Sequence, residues 1–264
     1  MTRAARLVAF LSFCALALGA VACDSGTSAT KAGLLDARPG GVYLALGDSI
    51  AAGHGASDAA TTSYVALLAK ALQEQVDSSL QLKSLSVDGK TTQDLIDGQL
   101  AEALTELRTG DVRLVTVTIG GNDLYQYAAY PDCLPDPSVA ACPLKAGLSG
   151  VEERLERILG DLRAAAPDVP IAIEDYPNLF SGSGHEFEQG AMVAFGLLDE
   201  VIDRVAARHD VLVADPRPSF EGKSLELTHI ADPSPDFHPN DAGHRLIADA
   251  FLKVLGLGPL SSAD

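Results

Sequence analysis

The chain has 264 residues, of which 47% are hydrophobic and 21% are charged, and its formal net charge at pH 7 is −17. This is a globular composition, which excludes disorder throughout, and the length suits one large domain. An acidic chain with no Trp and 5% aromatic residues would be repelled by phosphate backbones and offers few rings for base stacking, which argues against a nucleic-acid partner.

The first residues predict an export signal. Residues 1–22 combine two arginines with an uncharged apolar run, which is the length of a signal peptide and short for a membrane-spanning helix. The motif Ala20-Val21-Ala22-Cys23 resembles a bacterial lipobox, with Ala in place of the usual Leu, so we expect cleavage before Cys23 and a lipid on its thiol. Ordinary cleavage near Ala22, which would give a secreted soluble protein, is the alternative. Residues 23–40 are predicted to form a flexible tether.

Strand-like and helix-like segments alternate through the rest of the chain. Strands are predicted where short apolar or β-branched runs occur, and helices where apolar residues recur at a spacing of three or four. In chain order, the predicted strands cover residues 42–46, 80–87, 112–119, 169–173 and 211–214. The helices between and after them are predicted over residues 63–76, 92–107, 151–162, 187–207 and 242–254.

This alternation predicts one α/β domain over residues 41–256, followed by a short tail over 257–264. Strands that alternate with helices form a parallel sheet covered on both faces, and such buried strands read as apolar runs. We therefore expect a three-layer α/β/α sandwich around a mostly parallel, five-stranded sheet. In sheets of this kind, ligands bind beyond the carboxyl ends of the strands.

Two cysteines, Cys133 and Cys142, lie in a segment rich in Pro and Asp that is predicted to be a loop. An exported protein in an oxidising compartment is expected to join them in a disulfide. A metal site is the less favoured interpretation, because no second pair of Cys or His residues lies near them at ligand spacing.

Four polar clusters lie where a parallel sheet would bring them to one edge. Gly47-Asp48-Ser49-Ile50 places a hydroxyl after the first strand, and Gly89 follows the second. Ile119-Gly120-Gly121-Asn122-Asp123 places a side-chain amide after the third. His238 precedes Pro239, which favours an extended segment or a turn over a helix. Each cluster alone is equally compatible with an ordinary turn or helix cap.

Together the clusters supply the parts of an acyl-transfer site. A serine hydroxyl is a weak nucleophile until a neighbouring base accepts its proton, and a histidine in a loop can be that base. Backbone N–H groups and a side-chain amide can stabilise the oxyanion of a tetrahedral intermediate. The rival is a phosphate-binding loop for a nucleotide or flavin. It is disfavoured because the glycine pattern lacks the Lys of a P-loop and the turn at residues 47–50 is too short and too acidic.

In these motifs the chain resembles the SGNH hydrolases, also called GDSL esterases and lipases. GDSI at residues 47–50, Gly89, GGND at 120–123 and HPN at 238–240 occur in the family's order. The resemblance spans about residues 42–255 and implies a flavodoxin-like α/β fold and a carboxylic ester hydrolase.

The resemblance also implies a role for each motif residue. Ser49 would be the nucleophile and His238 the base. The oxyanion hole would be formed by the N–H groups of Ser49 and Gly89 and by the side chain of Asn122. The reaction would need no cofactor and no metal ion.

The acid partner of His238 is where this chain departs from the family. The family usually places an aspartate three residues before the histidine, and that position is Pro235 here. We predict Asp236 as the acid, with Asp232, or no acid at all in a Ser–His dyad, as the alternatives. Such an acid fixes the imidazole tautomer and stabilises imidazolium, so its loss lowers activity without changing the reaction.

Other polar and aromatic residues near the motifs have competing interpretations. His54 follows the nucleophile motif and either lines a pocket or is structural, whereas His244 is predicted to be structural. Asp48 is expected to support the Ser49 turn. Three tyrosines either wall an acyl pocket or pack on the disulfide loop: Tyr125, Tyr127 and Tyr130.

The sequence therefore predicts an exported serine esterase, anchored at the bacterial cell envelope by a lipid on Cys23. Its substrate would be a lipid, a lysophospholipid or a short-chain acyl ester, with a carbohydrate O-acetyl ester as an alternative. A non-catalytic ligand-binding lipoprotein on the same fold is the alternative from another class of protein. Ester turnover discriminates between the enzyme and the binding protein.

Overall fold

The central sheet is formed by five of the apolar runs that the sequence marks as strands. They are β1 (Val42–Gly47), β2 (Gln81–Ser84), β3 (Val112–Thr118), β4 (Ile171–Glu174) and β5 (Leu212–Ala214). In the computed structural model, which describes residues 39–125, 143–234 and 236–261 together with Leu35, the strand order is β2-β1-β3-β4-β5. All four neighbouring pairs are parallel, which confirms the predicted fold class.

Helices connect the strands and cover the sheet. They are α1 (Ser49–Ala52), α2 (Tyr64–Gln75), α3 (Thr92–Gly98), α4 (Leu100–Thr109), α5 (Gly121–Tyr125), α6 (Pro143–Ala165), α7 (Glu188–Arg208), α8 (Arg217–Phe220), α9 (Ser224–Leu227) and α10 (Asp241–Val254). Helix α2 packs against α10, and α6 packs against α3, α4 and α7. The sheet is therefore flanked by helices as a three-layer sandwich requires.

Burial follows the position of each strand in the sheet. All seven residues of β3, the central strand, are buried, which is why its β-branched run is the clearest strand signal in the sequence. The edge strand β2 is largely exposed and covers only four residues of the predicted 80–87. The prediction was too long there because an edge strand has a neighbour on one side only, and the ladder that pairs it with β1 ends at Ala45 and Ser84.

The helix predicted over residues 92–107 is wrong in one respect, because it is two helices that meet at Gln99. Thr91 caps α3 in a capping box with Asp94, so the predicted start is confirmed. The break follows Gly98, the weakest helix former in the segment. It turns the buried Gln99 side chain toward β1.

A short antiparallel pair near the end of the chain was not predicted as a strand pair. Strand β6 (Thr228–His229) pairs with β7 (Asp236–Pro239), directly before α10. Asn240 then caps α10 by accepting hydrogen bonds from the backbone N–H groups of Ala242 and Gly243. The predicted extended conformation at His238 is confirmed.

All of the described residues belong to one compact unit. Within residues 39–125, 143–234 and 236–261, no helix combines the length and the apolar character needed to cross a bilayer. The signal peptide, tether and tail remain predictions from the sequence.

Candidate active site

The turn after β1 presents Ser49 at the carboxyl edge of the sheet. Asp48 supports this turn, as expected, by accepting a hydrogen bond from the Ile50 N–H at 3.0 Å as the cap of α1. Gly47 has a φ of +145°, and a Cβ atom there would lie 2.2 Å from the Thr118 carbonyl oxygen. Only glycine therefore lets β1 end so close to β3 and turn directly into the serine.

The side chain of Gln99 also holds this turn. Its side-chain amide accepts a hydrogen bond from the Gly47 N–H at 2.9 Å and donates one to the Gly47 carbonyl at 2.8 Å. The Gly47 carbonyl also accepts from the Val87 N–H at 3.1 Å, so the buried Gln99 amide adds a second bond to that carbonyl and satisfies the Gly47 N–H at the strand end. Sequence analysis missed Gln99, and its only local signal is the helix break beside Gly98.

His238 connects Ser49 to Asp236. Its Nε2 lies 2.9 Å from Ser49 Oγ, and its Nδ1 lies 2.6 Å from Asp236 Oδ1. Because an ionised carboxylate only accepts hydrogen bonds, Nδ1 carries the proton and Nε2 is left to accept the serine hydroxyl. The acid and the base lie on the same side of β7 because side chains two residues apart in a strand share a face.

The electrostatics of the pair keep the base neutral and the acid ionised. Burial lowers the pKa of His238, and its hydrogen bond to Asp236 offsets part of that effect. Burial alone would raise the pKa of Asp236, but hydrogen bonds from the His238 N–H and imidazole outweigh it, so this pKa lies below its usual range. A neutral imidazole beside a hydroxyl is the protonation state that a general base requires.

The alternative acid, Asp232, is engaged elsewhere. Its Oδ2 lies 2.7 Å from Nδ1 of His229, whose Nε2 donates to the Gly55 carbonyl at 2.7 Å. Asp236 is therefore the carboxylate that the structure brings to His238. Pro235, the position at which the chain departs from the family, lies outside the described residues.

The three groups predicted for the oxyanion hole come from three connections at the same edge. Asn122 lies at the start of α5, where its Nδ2 donates to the Lys90 carbonyl at 3.0 Å, and one Nδ2 hydrogen is left to face the cavity beside Ser49. Gly89 lies in open space, with no atom within 4 Å of where a Cβ would be. Within the described part of the chain, the N–H groups of Ser49 and Gly89 donate to no acceptor.

An apolar cavity begins at Ser49 and His238. Aromatic rings of Phe180, Phe195 and Tyr176 form much of its wall, and Tyr176 stacks on Phe195. Helix α7 faces the cavity with small residues, which leave the space open between the rings. The lining side chains and glycines are Asp48, Ser49, Ile50, Gly121, Asn122, Leu124, Leu144, Tyr176, Leu179, Phe180, Phe187, Gly190, Ala191, Ala194, Phe195, Phe237 and His238.

His54 lies against the catalytic edge and does not line the apolar cavity. Its Nδ1 is 2.9 Å from Asp88 Oδ2, its Nε2 is 3.3 Å from Asp236 Oδ2, and its ring centroid is 4.0 Å from that of His238. We call His54, Asp88, Asp236 and His238 the imidazole–carboxylate cluster. Its atoms on His54, Asp236 and His238 lie within 4.8 Å of one another, so these three side chains are the described residues that could ligate a metal ion.

His244 is structural, as predicted. It is fully buried at the start of α10, where Nδ1 accepts from the Tyr64 N–H at 3.3 Å and Nε2 donates to the His54 carbonyl at 2.9 Å. Burial lowers its pKa to about 4, which keeps it neutral.

A second set of acids lies beneath the site and was not found from the sequence. The buried carboxylate group consists of Asp48, Glu174, Asp175 and Asp199. Asp48 accepts a short hydrogen bond from the Tyr176 hydroxyl, and Glu174 accepts one from Thr118 at 2.7 Å. Arg217 lies 2.9 Å from Asp175 and 3.2 Å from Asp199. Burial raises the pKa of Asp48 to about 7 and that of Asp175 to about 8.

Several predictions fall outside the described residues. The lipidation site Cys23, the disulfide between Cys133 and Cys142, and the side chains of Tyr125, Tyr127 and Tyr130 stay predictions.

Known proteins are similar to this chain over most of the domain. The model of the GDSL-like Lipase/Acylhydrolase family matches residues 45–246. Among solved structures, the chain is similar to phospholipase A1 from Streptomyces albidoflavus NA297, at 27% identity and a TM-score of 0.59, covering 81% of this chain and 98% of that chain. A comparison with curated proteins finds no match.

Two further solved structures share the fold at lower identity. An extracellular lipase from Streptomyces rimosus is 24% identical, with a TM-score of 0.57 and coverage of 81% and 98%. An acetylxylan esterase from Geobacillus stearothermophilus is 22% identical, with a TM-score of 0.58 and coverage of 84% and 97%. The family match covers most of the domain, including Ser49, Gly89, Asn122 and His238. The chain therefore belongs to the GDSL-like lipase and acylhydrolase family and is a carboxylic ester hydrolase.

Proposed function

We propose that this hydrolase acts through an acyl-enzyme on Ser49, with His238 as general base and Asp236 as its acid partner. The observation that carries the proposal is the hydrogen-bonded chain from Ser49 Oγ to His238 Nε2 and from His238 Nδ1 to Asp236 Oδ1, at 2.9 and 2.6 Å. A hydroxyl within hydrogen-bond reach of an oriented, neutral imidazole is the arrangement that activates a serine.

In the first half-reaction, Ser49 Oγ attacks the ester carbonyl carbon while its proton passes to His238 Nε2. The carbonyl π electrons move to the oxygen, and the N–H groups of Ser49 and Gly89 and the Asn122 amide donate hydrogen bonds to that oxyanion. When the carbonyl re-forms, the bond to the alcohol oxygen breaks. The leaving alcohol takes the proton from His238, and the acyl group remains on Ser49.

In the second half-reaction, water attacks the acyl carbon and gives its proton to His238. Collapse of the second tetrahedral intermediate breaks the bond to Ser49 Oγ, which takes the proton back. The carboxylic acid leaves, and the enzyme returns to its starting state. Asp236 stays ionised throughout and stabilises the imidazolium that forms in each half-reaction.

The substrate we propose is a lipid or other ester with an acyl chain longer than acetyl. The apolar cavity opens directly at Ser49, and its interior offers aromatic and aliphatic side chains to an acyl chain. The similarity to a phospholipase A1 favours the same substrate class. A carbohydrate O-acetyl esterase would leave this cavity unused.

A chromogenic ester panel from p-nitrophenyl acetate to p-nitrophenyl palmitate tests the reaction. We expect hydrolysis by the purified protein, and no hydrolysis above background by Ser49→Ala. Ser84→Ala, an exposed serine on the edge strand, is the matched control and should keep full activity. Hydrolysis that survives in Ser49→Ala would contradict the nucleophile assignment, and no hydrolysis in the unmodified protein would favour the binding-protein alternative.

A larger side chain on α7 tests whether the apolar cavity holds the acyl chain of the substrate. Ala194→Leu places extra carbon atoms among the lining residues, so we expect the preferred acyl chain to become shorter. Ala207→Leu on the exposed side of the same helix is the control and should leave the profile unchanged. A profile that peaks at acetyl in the unmodified protein would instead support the O-acetyl esterase.

We also propose that the protein is exported and held at the cell envelope by a lipid on Cys23. The apolar run before Cys23 and the lipobox-like motif support this location. Mass spectrometry of the protein purified from its native host tests it. A free, unmodified N-terminal residue after cleavage would contradict the anchor.

A further inference from the structure

We infer that His54 is a positioning residue, which bridges Asp88 and Asp236 and thereby fixes the carboxylate that orients His238. The inference rests on the proposed function, in which Asp236 is the acid partner of His238. It concerns the second oxygen of Asp236, which the serine–histidine–aspartate chain does not use.

The carboxylate of Asp236 needs such support. It is 35% exposed, and it lies only two residues before His238, so its Oδ1 accepts from both the backbone N–H and the imidazole of His238. Its Oδ2 lies 3.3 Å from His54 Nε2. With one oxygen hydrogen-bonded to the His238 imidazole and the other at ion-pair distance from His54, the carboxylate has one orientation in place of several.

His54 can hold Asp236 because it is itself held at its other nitrogen. Its Nδ1 lies 2.9 Å from Asp88 Oδ2. Both ring nitrogens therefore face carboxylates, which only accept, and a neutral imidazole could donate to just one of them. The doubly protonated ring satisfies both carboxylates, and its hydrogen bonds are charge-assisted.

The backbone around His54 is shaped to bring it to β7. A Cβ atom at Gly55, where φ is +84°, would lie 2.3 Å from the Pro239 carbonyl oxygen and 3.1 Å from the Cβ of His238. The glycine therefore allows the chain to pass against β7. His244 donates to the His54 carbonyl from α10, and the ring centroids of His54 and His238 lie 4.0 Å apart, with the two planes tilted by 34°.

A bound metal ion is a poorer explanation of the same contacts. His54, Asp236 and His238 offer three ligand atoms close together. However, the two imidazole rings are in contact, and each nitrogen that faces Asp236 is already at hydrogen-bond or ion-pair distance from a different oxygen of that carboxylate. Protons therefore account for the arrangement, and a chelator should leave the rate unchanged.

The kinetic test compares His54→Ala and His54→Gln with the unmodified protein. Because the bridge is half-exposed, we expect His54→Ala to lower kcat by about fivefold with KM unchanged, and His54→Gln, which can still donate one hydrogen bond, to recover part of the loss. His229→Ala is the matched control. Its backbone pairs with Asp236 between β6 and β7, but the imidazole that the change removes contacts Asp232 and the Gly55 carbonyl and makes no hydrogen bond or ion pair with Asp236.

The pH profile separates positioning from a general loosening of the loop. The groups that face His54 are Asp88, Asp236 and His238, with His244 on its backbone. The charge on protonated His54 lowers the pKa of His238. Removal of His54 should raise that pKa, so the acid limb of the pH profile of kcat should move to higher pH. The loss of kcat should therefore be greatest at low pH. An equal loss at every pH, or a loss in His229→Ala as large as that in His54→Ala, would overturn the inference.

Nitrogen-15 NMR of the histidine side chains tests the bridge without any substrate. Hydrogen bonding to Asp88 raises the pKa of His54 above its usual range, with Asp236 adding to the effect. We expect this pKa to fall in Asp88→Asn and in Asp236→Asn, and to be unaffected by EDTA. If no ester is hydrolysed, the proposed function fails, but this titration still shows whether His54 bridges Asp88 and Asp236. A His54 pKa that neither variant changes would refute the bridge.

Discussion

Two sets of carboxylates lie at the catalytic edge, and they are held in opposite ways. The imidazole–carboxylate cluster is partly exposed, and there hydrogen bonds from His238 keep the pKa of Asp236 below its usual range. The buried carboxylate group has few cationic partners, and burial raises the pKa of Asp199 to about 7. The same residue type is thus a fixed anion in one place and a proton-binding group in the other.

The contrast shows that partners, and not proximity to the serine, decide what an aspartate does. Asp48 is next to Ser49 in sequence, yet its oxygens are taken by the Tyr176 hydroxyl and the Ile50 N–H. Asp236 is far from Ser49 in sequence, yet it holds the imidazole whose Nε2 lies 2.9 Å from Ser49 Oγ. Three measurements test whether the two sets of carboxylates differ in this way.

The largest effect is expected in the imidazole–carboxylate cluster, from Asp236→Asn. The asparagine amide can donate to His238 Nδ1 and so favour the tautomer that protonates Nε2, which cannot accept the serine proton. We expect kcat for the best p-nitrophenyl ester to fall by about 10³-fold or more, with little change in KM. Asp232→Asn is the matched control and should stay within about twofold of the unmodified protein, because Asp232 contacts His229. Equal losses in the two variants would mean that the structure has the wrong acid.

A smaller effect is expected in the buried carboxylate group, from Arg217→Met. The change leaves Asp175 and Asp199 without their cation, while their burial stays. Because Arg217 is partly exposed, we expect the free energy of unfolding to fall by about 2 kcal/mol, as measured by urea denaturation. Arg204→Met, which breaks an exposed pair with Glu152, should cost less than about 1 kcal/mol. An equal loss of unfolding free energy in the two variants would show that burial of the carboxylates does not make the Arg217 ion pairs more important than the exposed Arg204 pair.

The smallest effect is expected from pH alone. In the folded state Asp48, Asp175 and Asp199 keep their protons up to about pH 7 to 8, whereas in the unfolded chain they lose them near their ordinary pKa of 3.8. The folded state therefore binds more protons between these limits, so the free energy of unfolding should decrease as pH rises through this window, by on the order of 1 kcal/mol per pH unit. Asp199→Asn should flatten the dependence, and urea midpoints that rise with pH would contradict it.

The sheet and most of its helices could be predicted because their signals are local. A strand that is buried on both faces has an apolar run in its sequence, and this run was sufficient to predict β3. The positions of Ser49, Asn122 and His238 at one edge then follow from the parallel topology, since successive connections after parallel strands lie at the same end.

The contacts that were missed depend on groups far apart in the chain. Gln99 binds the Gly47 backbone and Tyr176 binds Asp48, and neither residue belongs to a motif. The link from His54 to Asp88 was missed for the same reason. Asp236 was predicted as the acid from its spacing to His238, whereas the contact that engages the alternative, Asp232, with His229 carried no sequence signal.

The hydrogen bond between Ser49 and His238 joins residues 189 positions apart. Ser49 lies directly after the first strand of the sheet, whereas His238 lies on β7, directly before α10. A chain emerging from the ribosome therefore contains its serine long before it contains the imidazole that activates it. On the proposed mechanism, synthesis itself withholds ester hydrolysis until His238 has been made, and recovery of activity during refolding reports the docking of β7 against the turn after β1.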